Sequence, residues 1–138
     1  MGETARPEIA ALGASTLCEA FQITAQERPD QVALRTLGGV LEITYAEFAA
    51  RVRALAEGLH ALGVGRGDTV ALMLTNRPEF SLADTAAMHL GATAFAVYNT
   101  SSAEQVQHLF RNSGNRIVVT ERQFLPRVFE ARTPELEH

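Results

Sequence analysis

Apolar residues recur along this chain at helical spacing in some segments and as short continuous runs in others. The segment TYAEFAARVRALAEGLHALG begins with Thr44 and Glu47 at capping-box spacing. Its later apolar residues recur every three or four positions, at Phe48, Val52, Leu55, Leu59 and Leu62. Gly63 follows them as a helix C-terminal cap does, and the apolar run DTVALML comes next. The pattern predicts a helix that leads into a buried strand.

The same order of helix, glycine and strand occurs twice more. RPEFSLADTAAMHLG has Pro78 in its first turn and Gly91 after its end, and it precedes the run ATAFAVY. SAEQVQHLFRNSG opens with a capping box of Ser102 and Gln105 and precedes NRIVVT. Strands that alternate with helices predict an α/β fold in which helices flank a parallel sheet.

The first 44 residues follow a different pattern. STLCEAFQITAQERPDQ predicts a helix that begins at a capping serine and ends near Glu27. VALRTLGGVLEIT predicts an antiparallel hairpin at the side of the sheet, because Gly38 and Gly39 supply the positive φ that both centres of a tight turn need. Near the other terminus, ERQFLPRVFEA starts a further helix.

These elements suggest three regions. We expect residues 1–15 to form a flexible N-terminal arm and residues 16–131 to form a partial α/β subdomain. Residues 132–138 form a tail or a truncated boundary: TPELEH fits either a boundary before another strand or an expression-vector tail. The open edge of the sheet then needs cover from another segment, a partner or a second copy of the chain.

Composition excludes several classes of function. The chain has 138 residues, 46% of them hydrophobic, with a net charge of -4 and no basic stripe, so we expect no nucleic-acid partner. All 12 basic residues are arginine, which leaves no lysine for a Walker-type phosphate loop. A single cysteine, no signal peptide and no apolar run of about 18 residues predict a cytoplasmic protein without a transmembrane segment.

The glycines and titratable residues do not indicate a nucleotide, thiol or metal site. Gly63, Gly65 and Gly67 stand between a helix and a strand, the reverse of the order in a dinucleotide-binding loop, so we interpret them as a turn. The tripeptide Arg66-Gly67-Asp68 is interpreted as a chance match. Cys18 lacks a setting that lowers a thiol pKa and is interpreted as a small buried apolar residue. The histidines share no ligand spacing, so we expect no metal site.

The hydroxyl-rich segment YNTSSAEQ is the one candidate for ligand contact. It follows the end of a predicted parallel strand, where open α/β sheets bind ligands, so Tyr98, Asn99 and Thr100 are candidate substrate-binding residues. The alternative is structural, because a loop that ends in the helix cap Ser102 needs such residue types anyway.

An ordered set of motifs resembles a known family. Thr-Tyr-x-Glu opens a helix, Leu-Gly-Val-x-x-Gly-Asp precedes a strand, and Asn-x-Pro-Glu-Phe and His-Leu-Gly-Ala follow. Over residues 16–130 the chain resembles the N-terminal part of the adenylate-forming enzymes, which include acyl-CoA synthetases, luciferases and peptide-synthetase adenylation domains. The YNTSSAEQ turn is most similar to the long-chain fatty-acid-CoA ligase branch.

The resemblance implies a two-step reaction with ATP, Mg²⁺ and coenzyme A, in which a carboxylate becomes an acyl-adenylate and then an acyl-CoA. The family's phosphate loop ending in Pro-Lys, its later Tyr-x-Thr-Glu and Thr-Gly-Asp motifs and its catalytic lysine are missing here. We therefore expect no catalytic residue and no bound cofactor in this chain, which would be inactive without the rest of a ligase. The alternative is a non-catalytic interaction module from a truncated or split gene. An independent dinucleotide oxidoreductase is disfavoured by the glycine order.

Overall fold

A computed structural model describes residues 9–138, and the first eight residues of the predicted arm lie outside it. The described part contains five α-helices: α1 (Leu17–Glu27), α2 (Tyr45–Ala61), α3 (Pro78–His89), α4 (Ala103–Ser113) and α5 (Leu125–Glu130). It contains five strands: β1 (Val32–Arg35), β2 (Glu42–Thr44), β3 (Thr69–Met73), β4 (Thr93–Ala96) and β5 (Ile117–Thr120). Short 3-10 helices occupy Ala10–Gly13, Leu37–Gly39 and Arg122–Phe124.

The main sheet has three parallel strands in the order β4-β3-β5, as the alternating pattern predicts. Side chains of the central strand β3 alternate between two cores. Val70 and Leu72 pack with buried residues of α2 and α3, whereas Ala71 and Met73 pack with buried residues of α4 and α5. Helices therefore cover both faces of the sheet, and the predicted α/β class is confirmed.

Side-chain caps begin several helices where the sequence predicts them. In α2 the Thr44 hydroxyl accepts from the Glu47 N–H at 3.3 Å and the Glu47 carboxylate accepts from the Thr44 N–H at 2.9 Å. Ser102 caps α4 in the same way. In α1 the prediction is wrong by one residue, because Thr16 rather than the serine before it accepts from the Glu19 N–H.

The buried face of α2 is narrower than the pattern predicts. Phe48, Val52 and Leu59 are buried, but Leu55 is 38% exposed and Leu62 is 42% exposed. Leu62 is the residue at which the helix ends, so it lies beyond the buried residues of α2.

The β1–β2 hairpin is antiparallel and forms a sheet of its own. Gly38 and Gly39 have φ of 80° and 68°, which confirms the predicted positive φ. The prediction of a tight two-residue turn is wrong. The Thr36 N–H donates to the Leu41 carbonyl, and four residues lie between these two. Leu37 and Val40 project fully into solvent at this tip.

The turn after α2 confirms the C-cap role of Gly63. Its φ is 89°, its N–H donates to the His60 carbonyl, and the N–H of Val64 donates to the Leu59 carbonyl. This pair of bonds is a Schellman motif, which satisfies carbonyls that the helix end leaves free. Gly65 does not need glycine's freedom, since its φ is not positive.

Arg116, immediately before β5, links three parts of the fold. Its Nη2 donates to the Gly63 carbonyl at 2.8 Å, its Nη1 lies 3.3 Å from the Glu137 carboxylate, and Asp68 lies 4.0 Å away. The last residues of the chain therefore lie beside the strand they follow, and Leu136 is buried against the α4–α5 core.

Candidate functional site

The winding of the sheet reverses direction between β3 and β5. The chain leaves β3 through α3 on one face of the sheet to reach β4, and it returns through α4 on the other face to β5. It then leaves β5 toward α5, which lies on the same face as α4, so the helices that follow β3 and β5 lie on opposite faces. Helices that leave adjacent strand ends in opposite directions open a crevice at the carboxyl edge, which is where open α/β sheets bind ligands. Topology therefore places the principal candidate site between the loops after β3 and β5.

A crevice of about 520 Å³ occupies this place. The residues that line it come from those two loops and from the start of α3. They are Leu74, Arg77, Glu79, Val119, Thr120, Glu121, Arg122 and Gln123.

A carboxylate joins the two strand ends across the crevice. One oxygen of Glu121 accepts from the Thr75 N–H at 2.5 Å and from the Thr75 hydroxyl at 2.6 Å. The other oxygen accepts from the side-chain amide of Gln123 at 3.0 Å and lies 3.4 Å from Nη1 of Arg77. The Glu121 side chain is 13% exposed. This set of donors favours the charged form and lowers the pKa of Glu121, chiefly through the Thr75 hydroxyl.

Two carboxylates bind the Arg77 guanidinium. Its Nε and Nη2 bond to the two oxygens of Glu79 at 2.7 and 2.8 Å, and its Nη1 reaches Glu121. The hydrogen bonds to Glu79 raise the pKa of Arg77 and lower the pKa of Glu79. An incoming phosphate would have to displace Glu79 and tolerate the charge of Glu121. In this arrangement the Arg77 guanidinium joins the start of α3 to the loop after β5.

A second depression, of about 260 Å³, lies between the ends of β3 and β4 and contains two of the three predicted contact residues. Tyr98 and Asn99 line it together with Thr75, Asn76 and Phe80, while Thr100 is not part of its wall. Tyr98 is 81% exposed. Two backbone carbonyls of this loop accept hydrogen bonds from within the chain. The Tyr98 carbonyl accepts from the Ser101 N–H, and the Asn99 carbonyl accepts from the Arg127 guanidinium.

Sequence reasoning missed Thr75, Arg77 and Glu121. Each follows a strand closely, as Tyr98 does, but pattern alone does not say which strands are neighbours. The pairing of β3 with β5 across 46 residues of sequence brings Glu121 to Thr75. The signal in the sequence is a polar residue soon after a strand. It includes Thr75, Arg77 and Glu121 but does not rank them above the YNTSSAEQ turn.

Other predicted residues lie apart from this edge. Cys18 is the second residue of α1 and so lies at a helix start, but this position does not lower its thiol pKa. It is half-buried rather than buried, and desolvation by burial raises the pKa of its thiol. Among residues 9–138 there is no group of three metal-ligating side chains.

Comparison with known proteins agrees with the fold. A profile of the AMP-binding enzyme family matches residues 21–137. An uncharacterised Mycobacterium tuberculosis protein, Rv1549, is 52% identical over 124 residues, which cover 90% of this chain and 70% of that protein. The long-chain-fatty-acid-CoA ligase FadD15 of Mycobacterium bovis is 40% identical over 90 residues, covering 64% of this chain and 15% of the ligase.

Solved structures show the same relationship. The inhibitor-bound N-terminal domain of FACL13 from Mycobacterium tuberculosis superposes with a TM-score of 0.75 at 28% identity, covering 79% of this chain and 27% of that one. O-succinylbenzoate-CoA synthetase from Bacillus subtilis, solved with AMP, has a TM-score of 0.71 at 30% identity, with coverages of 86% and 29%.

No helix in the part of the chain that the structure describes is long and apolar enough to cross a bilayer. The profile match, the fatty-acid-CoA ligase relative and the shared α/β architecture agree with one another. The chain belongs to the AMP-binding family and corresponds to the N-terminal part of its acyl-CoA ligases.

Proposed function

We propose that this chain supplies the N-terminal scaffold of an ATP-dependent fatty-acid-CoA ligase and does not catalyse the ligase reaction by itself. One observation carries the proposal. The carboxyl edge of the sheet has the crevice of a ligand-binding α/β fold, but Arg77, a cation in its wall, is bound to Glu79 and Glu121.

The described residues do not fit the nucleotide and metal that the full reaction uses. Stabilising charge on a transferring phosphoryl group needs cations or Mg²⁺ aimed at its oxygens. Here the crevice presents two carboxylates beside its arginines, the whole sequence contains no lysine, and residues 9–138 hold no three-ligand metal cluster. ATP, Mg²⁺ and coenzyme A therefore belong to the remainder of the ligase in this proposal.

The chain's own contribution is to position that remainder. Glu121 and Thr75 hold the ends of β3 and β5 together, and the depression at Tyr98 and Asn99 lies on the same edge. A rigid edge of this kind orients loops that arrive from elsewhere, and catalytic geometry depends on such orientation. The proposed location is the cytoplasm, as expected for a ligase that uses ATP and coenzyme A.

An activity assay with separate parts tests the proposal. The chain is co-expressed with FadD15 that lacks its aligned 90-residue segment, and acyl-dependent pyrophosphate release is measured for each part and for the pair. Neither part alone should exceed background, whereas the pair should copurify and release pyrophosphate. Leu72→Asp, which places a charge in the buried strand β3, should unfold the chain. This control shows whether copurification and activity require the folded chain. Release by the chain alone refutes the predicted inactivity, and a pair that neither copurifies nor reacts refutes the scaffold role.

A second function is favoured by one comparison. The aligned part makes up 70% of Rv1549 but 15% of FadD15, so a relative several times shorter than a ligase exists. We infer as the alternative a non-catalytic module that binds a partner. A stable monomer that binds no apolar dye and does not copurify with the ligase remainder supports the module, and a homo-oligomer would show that a second copy covers the sheet.

A further inference from the structure

A groove of about 700 Å³ follows one side of α2. On the α2 side its wall extends from Ala49 to His60, so the groove spans about three helical turns. Gln22 of α1, with His89 and Leu90 at the end of α3, completes the wall. The groove shares no residue with the crevice or with the depression at the carboxyl edge of the sheet, so it is a separate surface.

Hydrogen bonds and ring contacts fix the part of the groove that α1 and α3 form. The Thr85 carbonyl lies 2.8 Å from Nδ1 of His89 and can only accept, so Nδ1 carries a hydrogen. In the neutral ring, Nε2 of His89 then accepts from the side-chain amide of Gln22 at 3.0 Å. The Phe21 ring packs edge-on against His89 and against Phe48 of α2. These contacts hold the groove open without a partner.

Two opposite charges stand on the α2 side of this groove. Arg53 and Glu57 are exposed, and they lie one helical turn apart with the arginine first, which is the less favourable order for a pair within a helix. Among residues 9–138 neither side chain takes part in an ion pair. Ala49, Ala50 and Ala56 lie beside them, and side chains this small let a second helix approach closely. Together these five residues form the α2 flank.

The charges of the α2 flank are complementary to a second copy of themselves. A two-fold axis brings the same patch of both copies into contact, so each contact occurs twice. When two α2 helices lie antiparallel with Arg53 of one copy beside Glu57 of the other, the axis creates the second pair of the same kind. In that register Ala50 faces His60 of the second copy, and the overlap ends at Ala61, the last residue of α2. A partner of a single sign would attract one of the two charges and repel the other.

We propose that the α2 flank is an interface between two copies of this chain, which pair antiparallel about a two-fold axis. The two Arg53–Glu57 ion pairs set the register, and the alanines between them allow the helices to pack closely. The interface uses no residue of the crevice or of the depression at the carboxyl edge, so both stay open in the dimer. The proposal does not depend on the proposed function, because it rests on contacts of α1, α2 and α3 alone.

Charge reversal tests the pairing. Sedimentation equilibrium gives the dimer dissociation constant of the unchanged chain, of Arg53→Glu, of Glu57→Arg and of the double variant. Each single variant places like charges together at both contacts and should weaken the dimer at least about tenfold. The double variant exchanges the two signs and should dimerise about as tightly as the unchanged chain. Arg51→Glu is the matched control, because Arg51 is exposed on α2 but does not line the groove, and it should leave the dissociation constant unchanged.

A mixture of the two single variants provides a second measurement. In a dimer of one Arg53→Glu chain with one Glu57→Arg chain, both contacts again join opposite charges. The mixture should therefore form heterodimers at concentrations where each variant alone is monomeric. Circular-dichroism melts of all variants should give similar Tm values, since the substituted side chains are exposed.

Three results would overturn the proposal. The first is a chain that stays monomeric up to about 1 mM, the concentration at which even weak specific pairing is detected. The second is a dimer that both single variants retain, which points to a second copy at another surface such as the open edge of the sheet. The third is a double variant, or a mixture of the single variants, that associates no better than each single variant alone.

Discussion

Replacing Gly63 by alanine should destabilise the fold measurably, whereas the same change at Gly65 should not. Gly63 has a φ of 89°, which costs a residue with a side chain about 1–2 kcal/mol. A methyl group there would also lie 3.2 Å from Nη2 of Arg116, a group that donates to the Gly63 carbonyl. Gly65 is the matched control, because its φ is not positive and nothing lies within 4 Å of the space that its Cβ would fill.

The expected effect follows from the size of the chain. At roughly 2.1 cal/mol/K of unfolding entropy per residue, each kcal/mol lost lowers the Tm of a chain of this length by about 3–4 °C. Gly63→Ala should therefore lower the Tm by about 3–7 °C in circular-dichroism melts, and Gly65→Ala should leave it unchanged or raise it slightly. Gly63→Asn should recover part of the loss, because asparagine tolerates the left-handed region. Equal Tm values for the two alanine variants would contradict the assignment of Gly63 as the cap.

Two further predictions concern the crevice and the core. Glu121→Gln should destabilise the chain in urea unfolding at neutral pH, because Glu121 has a lowered pKa and its contribution is present above the ordinary glutamate pKa and is lost as pH falls through the folded value. The two proteins should converge in stability under acid, and a difference that persists there would refute the role of the charge. Phe110→Ala should cost about 3–5 kcal/mol, since the ring is fully buried, whereas Phe129→Ala, at a side chain 64% exposed, should cost far less.

Local signals account for the elements that the sequence predicted well. Thr44 with Glu47 and Ser102 with Gln105 define helix starts through bonds that span three residues, and Gly63 and Gly91 mark helix ends by their own backbone angles. Such features need no knowledge of the rest of the fold. The alternation of helices and apolar runs then restricts the topology to a parallel α/β sheet.

Long-range pairing accounts for what the sequence did not reveal. The bond between Thr75 and Glu121 depends on β5 lying beside β3 rather than beside β4, and no local pattern specifies that order. The sequence therefore indicates ligand contacts at Tyr98, after β4, and does not indicate the crevice between the ends of β3 and β5. The four-residue hairpin loop was missed for a similar reason, since two glycines fit several loop lengths.

The central strand β3 has consequences for how this family diverges. Its residues 70–73 are at most 1% exposed, and neighbouring positions pack against different helices. A larger side chain at Val70 therefore disturbs one layer, and a larger one at Ala71 disturbs the other. Substitutions in β4 and β5 can be accommodated at the outer edges of these strands. Substitutions at neighbouring positions of β3 require compensating changes in the helices on both faces of the sheet. The five residues TVALM should thus accept fewer substitutions in a mutational scan than any loop that carries chemistry.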